Sequence, residues 1–184
     1  MNCYERKVKS LNLLRRIKKL FLGSYEVALS EGLIADEHVS IVGAANFGSE
    51  PYLIHLHRYC RISMDVMFIT HDGGTWAFRN DQEKYKHVIK FGKIEVGEYS
   101  FIGARAIILP GVTIGDHCVI GAGSLVNRDV PSGTVYAGVP ARFICTTAEY
   151  AERCLKSMPD RFDEAAYKKD KKKYLIGHNM RKGC

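Results

Sequence analysis

Seven histidines and six cysteines supply the side chains best suited to proton transfer, nucleophilic attack or metal ligation in this chain. Cys3, Cys60, Cys118, Cys145, Cys154 and Cys184 are scattered, with no CxxC pair and no metal-ligand spacing. They read as reduced thiols used as small hydrophobic side chains. Among the histidines, His71 stands out by its surroundings. It opens the stretch HDGGTW, in which Asp72 is a natural turn residue before Gly73 and Gly74. An imidazole, with a reference pKa of about 6.5, can take a proton from a hydroxyl group at neutral pH. A lone loop histidine does not by itself specify that role, and His55, His57 and His87 are rivals. His57 follows an aliphatic residue that is in phase with the repeat described next, and reads as surface structure. His87 is close enough in sequence to line the same cleft, and His117 reads as a solvated corner residue.

What has to position these groups is a repeat. From Val96 onward an aliphatic residue recurs every six positions, at Ile102, Ile108, Ile114, Ile120 and Val126. Gly97, Gly103, Leu109, Gly115, Gly121 and Asn127 follow directly. Four places on stand compact residues: Ser100, Ala106, Val112, Cys118, Ser124 and Val130. A period of six fits neither a helix nor a simple strand, but it fits a solenoid of short strands joined by tight corners. The aliphatic side chain points inward, and the glycine either relieves crowding or permits a positive φ at the corner. If three units close one turn, Val96 stacks on Ile114, Ile102 on Ile120 and Ile108 on Val126, with coils about 4.8 Å apart. Each such buried residue contributes roughly 1.5–3 kcal/mol. A degraded form of the repeat places Leu56, Ile62 and Phe68 in phase, with Cys60 and Val66 four places on. The phase is lost between His71 and about Lys93, which predicts a long loop thrown out of the coil. Ordered loops of that length are usually functional.

The flanks differ in character. Leu13, Leu14, Ile17, Leu20 and Phe21 have helical spacing, with Lys and Arg on the other face, and predict a helix over 7–21. It reads as a cap on the first coil or a neighbouring subunit; the alternative is weak contact with an anionic membrane surface. Thr146 and Thr147 offer N-caps to a helix through AEYAERCLKS, which Pro159 ends, and a second helix is expected from Asp163 to Tyr174. The expected organisation is a helical cap over 1–37, the β-helix over 38–145 with a loop at about 71–93, and a basic helical tail over 146–184.

Composition narrows the function class. With 46% hydrophobic and 26% charged residues the chain is neither disordered nor low in core-forming side chains. The net charge of +7 is concentrated in the flanks, chiefly in YKKDKKKY. It is not interleaved with aromatics on one face, so nucleic acid is not an expected partner. No apolar run approaches the roughly 18–20 residues of a membrane span, and the basic start lacks a secretory core. A cytoplasmic setting is expected.

The segment IGARAIILPGVTIGDHCVIGAGSLVNRDVPSGTVYAGVPAR resembles the hexapeptide acyltransferase superfamily, the group of galactoside, maltose, xenobiotic and capsular-sugar O-acetyltransferases. The likeness spans roughly residues 39–145, and NFGSEPYLI with FITHDGGTW looks most like members that acylate polysaccharide or nodulation-type sugars. The resemblance implies a mainly β fold, a left-handed parallel β-helix, with helices at both ends and one protruding loop. It also implies a homotrimer whose active sites lie between adjacent subunits, with acetyl-coenzyme A as co-substrate and no metal in the reaction. The family's catalytic histidine lies where the coil breaks into its loop, the place of His71. Its coenzyme groove carries over to Gly103, Ala104, Gly121 and Ala122, with Asn127, Arg128 and Arg142 near the adenosine phosphates. Related enzymes often have serine where Ala104 stands, which removes one side-chain donor here. For the acceptor, Glu50, Asp72, Trp76 and His87 are candidates: a carboxylate can hold hydroxyls or orient His71, and an indole can stack on a sugar face.

The reading from residues and resemblance together is an acetyl-coenzyme A-dependent O-acetyltransferase of a sugar or polysaccharide precursor. Transfer to an amino sugar or antibiotic amine is the alternative, because the same base serves both. A β-helix binding scaffold is the non-enzymatic alternative. The zinc carbonic anhydrases share the coil but need a histidine pair downstream of a first histidine, and nothing pairs with His87 in that way.

Overall fold

The computed structural model describes residues 23–158 and 162–177. The helix expected over 7–21, with its membrane alternative, and the stop expected at Pro159 lie outside them. A helix over Ser24–Ser30 leads into the strands β1 (Ile34–Ala35), β2 (Ser40–Ile41), β3 (Ile54–Leu56), β4 (Arg61–Ile62) and β5 (Met67–Phe68). After the loop come β6 (Ile94–Val96), β7 (Phe101–Ile102), β8 (Ile107–Ile108), β9 (Thr113–Ile114), β10 (Val119–Ile120) and β11 (Leu125–Val126). β12 (Thr134–Gly138) and β13 (Ala141–Thr146) close the series. Successive coil strands go to different sheets, ordered β1-β3-β6-β9, β2-β4-β7-β10-β12-β13 and β5-β8-β11. These are the three faces of a left-handed parallel β-helix. Among the described residues its first strand is β1, which begins at Ile34, ahead of the start expected at 38.

The expected stacking is observed as parallel register: Val96 pairs with Ile114, Ile102 with Ile120 and Ile108 with Val126. These side chains form a continuous buried core with Leu56, Ile62 and Phe68. The compact positions are buried too. Ser100 is tolerated inside because its hydroxyl donates to the Gly115 carbonyl (2.7 Å) and accepts the Cys118 N–H (2.9 Å). Cys118 packs as a small hydrophobe, fully buried.

The glycine positions divide by cause. Gly97, Gly103, Gly115 and Gly121 are not at positive φ; they are needed because the next coil is too close for a side chain. A Cβ on Gly103 would lie 2.6 Å from the Ala122 nitrogen and the Ile120 carbonyl oxygen. The left-handed corner comes two residues later, occupied by Tyr99 (φ 54°), Arg105 (59°), Gly111 (83°), His117 (54°) and Gly123 (69°). Along one edge these corner residues form a ladder of rings: His38 on Tyr59, Tyr59 on Tyr99 and Tyr99 on His117, at 4.7, 4.8 and 5.1 Å between centroids. His117 is therefore a stacked ring, not the merely solvated corner residue the spacing suggests.

Two irregularities in the register matter for function. Ala35 pairs with Leu56, 21 positions on instead of 18, so the first turn carries three extra residues. They lie around a 3-10 helix over Pro51–Leu53, whose cap is Glu50. Leu56 pairs with Val96, 40 positions on, so the second turn carries 22 extra residues (40 − 18), the loop.

The described residues from Cys145 onward form a second compact unit. Its helix Thr147–Ser157 opens on the expected cap: Thr146 Oγ1 accepts the Glu149 N–H and the Glu149 carboxylate accepts the Thr146 N–H. The single helix expected from Asp163 to Tyr174 is two, Glu164–Lys169 and Lys171–Gly177. Asp170 leaves helical geometry, and its side chain accepts the Lys173 N–H at 2.9 Å, which starts the second. Among the described residues no helix is long and apolar enough to cross a membrane.

Candidate active site

His71 stands just past β5, where the chain leaves the corner of the β5-β8-β11 sheet. The neck of the loop is closed by backbone pairing: the Gly92 N–H donates to the Thr70 carbonyl and the Asp72 N–H to the Lys90 carbonyl, both at 2.9 Å. His71 and Phe91 form an antiparallel bridge between them. Gly92 packs so tightly on Gly111 of the next coil that any side chain there would strike its backbone. Asp72 accepts the Gly74 N–H (2.9 Å) and pairs with Lys90 (3.0 Å). It is the turn residue its position suggested, and a clasp across the neck. These bonds hold the imidazole at a fixed point, although it lies at the start of a long loop.

The group that meets His71 is Glu50. Its Oε2 accepts the Thr70 hydroxyl at 2.7 Å and lies 2.9 Å from His71 Nδ1. Burial acts to raise the Glu50 pKa, but hydrogen bonds from Thr70, His71 and Ser49 and the charge of His71 outweigh it. The carboxyl is held below its ordinary value and is ionised at neutral pH. An ionised carboxylate has no proton to give, so the shared proton belongs to Nδ1. The Glu50 side chain is 15% exposed and that of His71 46%, so the carboxylate is shielded while the ring remains open.

His71 opens onto a groove of about 240 Å³ lined also by Thr75, Trp76, Arg79, Ile89 and Phe91. Trp76 is 66% exposed, with the Arg79 guanidinium 5.8 Å from its ring centre. Most of its side chain is open to solvent. His87 is exposed in the loop and does not line this groove.

The candidate coenzyme residues fall on two corners. Gly103–Ala104 and Gly121–Ala122 follow β7 and β10, at the corner after the second sheet, not the one that carries His71. The Gly103 N–H is committed to the Ile120 carbonyl and the Gly121 N–H to the Tyr136 carbonyl, each at 2.8 Å. Both glycines therefore hold the coil together. Among the described residues the Ala104 and Ala122 N–H groups donate no hydrogen bond, and these are the donors available to a ligand. Asn127 and Arg128 follow β11 and are exposed on the corner of His71, two coils further along. Arg142 is exposed on β13, where its Nη1 donates to the Ala141 carbonyl at 2.8 Å. Within one chain, then, His71 and Ala104 are not neighbours.

Sequence reasoning missed Thr70, Arg79, Lys90 and Phe91. Thr70 had a legible signal, since it stands two residues past Phe68 in the inward register, where a polar side chain needs a partner. The pairing of Lys90 and Phe91 with the start of the loop had none.

A family model described as bacterial transferase hexapeptide (six repeats) matches residues 93–128. The chain is similar to protein CapG of Staphylococcus aureus, 39% identical over 168 residues, 87% of this chain and 95% of that protein. Over 51 residues it is 55% identical to the galactoside O-acetyltransferase of Escherichia coli K12, 28% of this chain and 25% of that enzyme. Among solved structures, a maltose O-acetyltransferase from Clostridium difficile 630 superposes with a TM-score of 0.51 at 22% identity. That match covers 66% of this chain and 73% of the other, and concerns the fold alone.

Proposed function

The chain belongs to the bacterial hexapeptide transferases, enzymes that transfer acyl groups, and from that premise we propose that it moves an acetyl group directly from acetyl-coenzyme A to a hydroxyl of a sugar or polysaccharide precursor. The observation that carries the proposal is the Glu50–His71 pair: an ionised, shielded carboxylate meets Nδ1 of a ring that borders a groove. A bound thioester is already activated, so the protein's task is to remove the acceptor's proton and to orient both substrates. Nε2 of His71 takes that proton as the oxygen attacks the acyl carbon, and returns it to the departing thiolate. The positive charge that develops on the ring is stabilised by Glu50. The exposed face of Trp76 suits a sugar ring, and Asp72 and Lys90 hold the loop that carries it.

The available Ala104 N–H is the donor that would meet negative charge developing on the acyl oxygen. It belongs to a different corner from His71, so the proposed site combines His71 of one subunit with Ala104 and Ala122 of the next, in a homotrimer. Asn127, Arg128 and Arg142 would hold the coenzyme's phosphates. The reaction draws on acetyl-coenzyme A, which fits a cytoplasmic setting. The similarity over 51 residues to a galactoside O-acetyltransferase supports a sugar hydroxyl as the acceptor.

The test is coenzyme A thiol release from acetyl-coenzyme A against a panel of sugars, amino sugars and aminoglycosides, with His71→Ala as control. Turnover with hydroxyl acceptors, lost in His71→Ala, is expected. Turnover confined to amines would move the assignment to N-acylation, and equal turnover in the variant would remove His71 from the mechanism.

A further inference from the structure

A second cluster of chemically capable side chains lies on another face of the coil. His55 in β3 and His57 directly after it flank the buried Leu56, and both side chains are partly exposed. In β1, Ala35 pairs with Leu56, and the Asp36 N–H donates to the Leu56 carbonyl at 2.9 Å. That register brings the Asp36 carboxylate to the two imidazoles. Its Oδ1 is 2.9 Å from His55 Nε2 and its Oδ2 is 3.4 Å from His57 Nδ1. The ring centres are 3.9 Å apart, and one ligand atom from each of the three residues lies within 4.8 Å of the others.

Two imidazole nitrogens and one carboxylate are the donor set of first-row transition metals such as zinc. Bonds of about 2.0–2.2 Å in tetrahedral geometry place neighbouring ligand atoms roughly 3.3–3.6 Å apart; the 3.4 Å pair already fits, the 2.9 Å pair has to open by about half an ångström, and the ligand atoms of the three residues all lie within 4.8 Å of one another. The surroundings also suit an ion. The Arg58 backbone N–H donates to the Asp36 carboxylate and orients it from behind. The three side chains are 29%, 31% and 39% exposed, so solvent reaches each of them. Glu95, which pairs with His55 in register on the next coil, is a further carboxylate on the same face. A surface histidine at position 57 alone would need none of this.

We propose that Asp36, His55 and His57 form a binding site for a divalent transition-metal ion, with zinc as its natural probe. The ion clips the first described coil to the second, where β1 pairs, among the described residues, with β3 alone. The site lies on the β1-β3-β6-β9 sheet, whereas His71 follows β5 on the β5-β8-β11 sheet, so it stands apart from acyl transfer and independent of that assignment.

The experiment is calorimetric titration of the untagged, chelator-stripped chain with zinc chloride, alongside Asp36→Ala and the double variant His55→Gln/His57→Gln. Cobalt(II) absorption provides a second readout of coordination. One ion per chain is expected, weakened at least tenfold in both variants, with a rise in Tm of about 2–5 °C on saturation that neither variant shows. His71→Ala should bind as the parent does. Absence of saturable binding, or equal binding in all the chains with folding verified by circular dichroism, would overturn the site.

Discussion

His71 and Glu50, 21 residues apart, meet through a 2.9 Å contact between Nδ1 and Oε2, because the first coil carries three extra residues immediately before β3, the strand that opens the histidine's own coil. If that contact selects the Nδ1–H tautomer, removing its charge while keeping its shape should damage the chemical step more than binding. Glu50→Gln is expected to lower kcat by about 10–10³-fold and to leave KM for acetyl-coenzyme A within about twofold, while His71→Ala costs about 10²–10⁴-fold. Steady-state kinetics on the two variants checks this.

Glu50 also makes stability depend on pH. Burial raises its pKa, and the hydrogen bonds from Thr70, His71 and Ser49 lower it by more, so its folded value lies below the ordinary 4.5. A depressed carboxylate pKa stabilises the fold above the unfolded value, and that contribution disappears as pH falls through the folded one. The difference in unfolding free energy between the parent and Glu50→Gln should therefore shrink as pH falls below about 4.5. Urea titrations at stepped pH measure it.

The division of glycines by cause predicts two outcomes for similar-looking changes. Gly103→Ala forces a Cβ against the backbone of Ala122 and Ile120, and is expected to cost about 1–3 kcal/mol or to prevent folding. Gly123→Asn, at φ 69° with open space around it, should cost under about 1 kcal/mol, because Asn tolerates the left-handed region. Thermal and urea denaturation of both variants decides it.

The separation of His71 and Ala104 onto different corners predicts complementation. His71→Ala and Ala104→Trp should each be inactive alone. Mixed subunits should regain about one quarter of parental activity, since a random trimer assembles that fraction of intact sites. No recovery from refolded mixtures would place both residues of a site in one chain.

Trp76 is 66% exposed and borders the groove beside His71. Trp76→Ala is expected to raise the acceptor KM about 5–30-fold, the loss of roughly 1–2 kcal/mol of stacking, with KM for acetyl-coenzyme A unchanged. An equal rise in both constants would assign the indole to the loop's conformation.

The sequence by itself determined the coil. Inward aliphatic residues recurring every six positions leave one economical way to bury them, and the pairings Val96–Ile114, Ile102–Ile120 and Ile108–Val126 follow by counting. It also marked His71 as the place where the regularity ends, and named Glu50 and Trp76 among the groups around it. Such features are legible because a solenoid's burial pattern is local: each residue's direction depends on its place in its own turn. Only the tertiary structure decided which residues of different turns meet. The first turn is three residues long in excess and the second 22, and both shifts are invisible until strands pair. They bring Glu50 to His71 and close the loop at Phe91. They also join Asp36 to His55 and His57, turning an unremarkable surface histidine into part of a cluster. The same register separated Ala104 from His71, a division that no spacing along the chain can express, because a corner of the prism is defined only once three faces have closed.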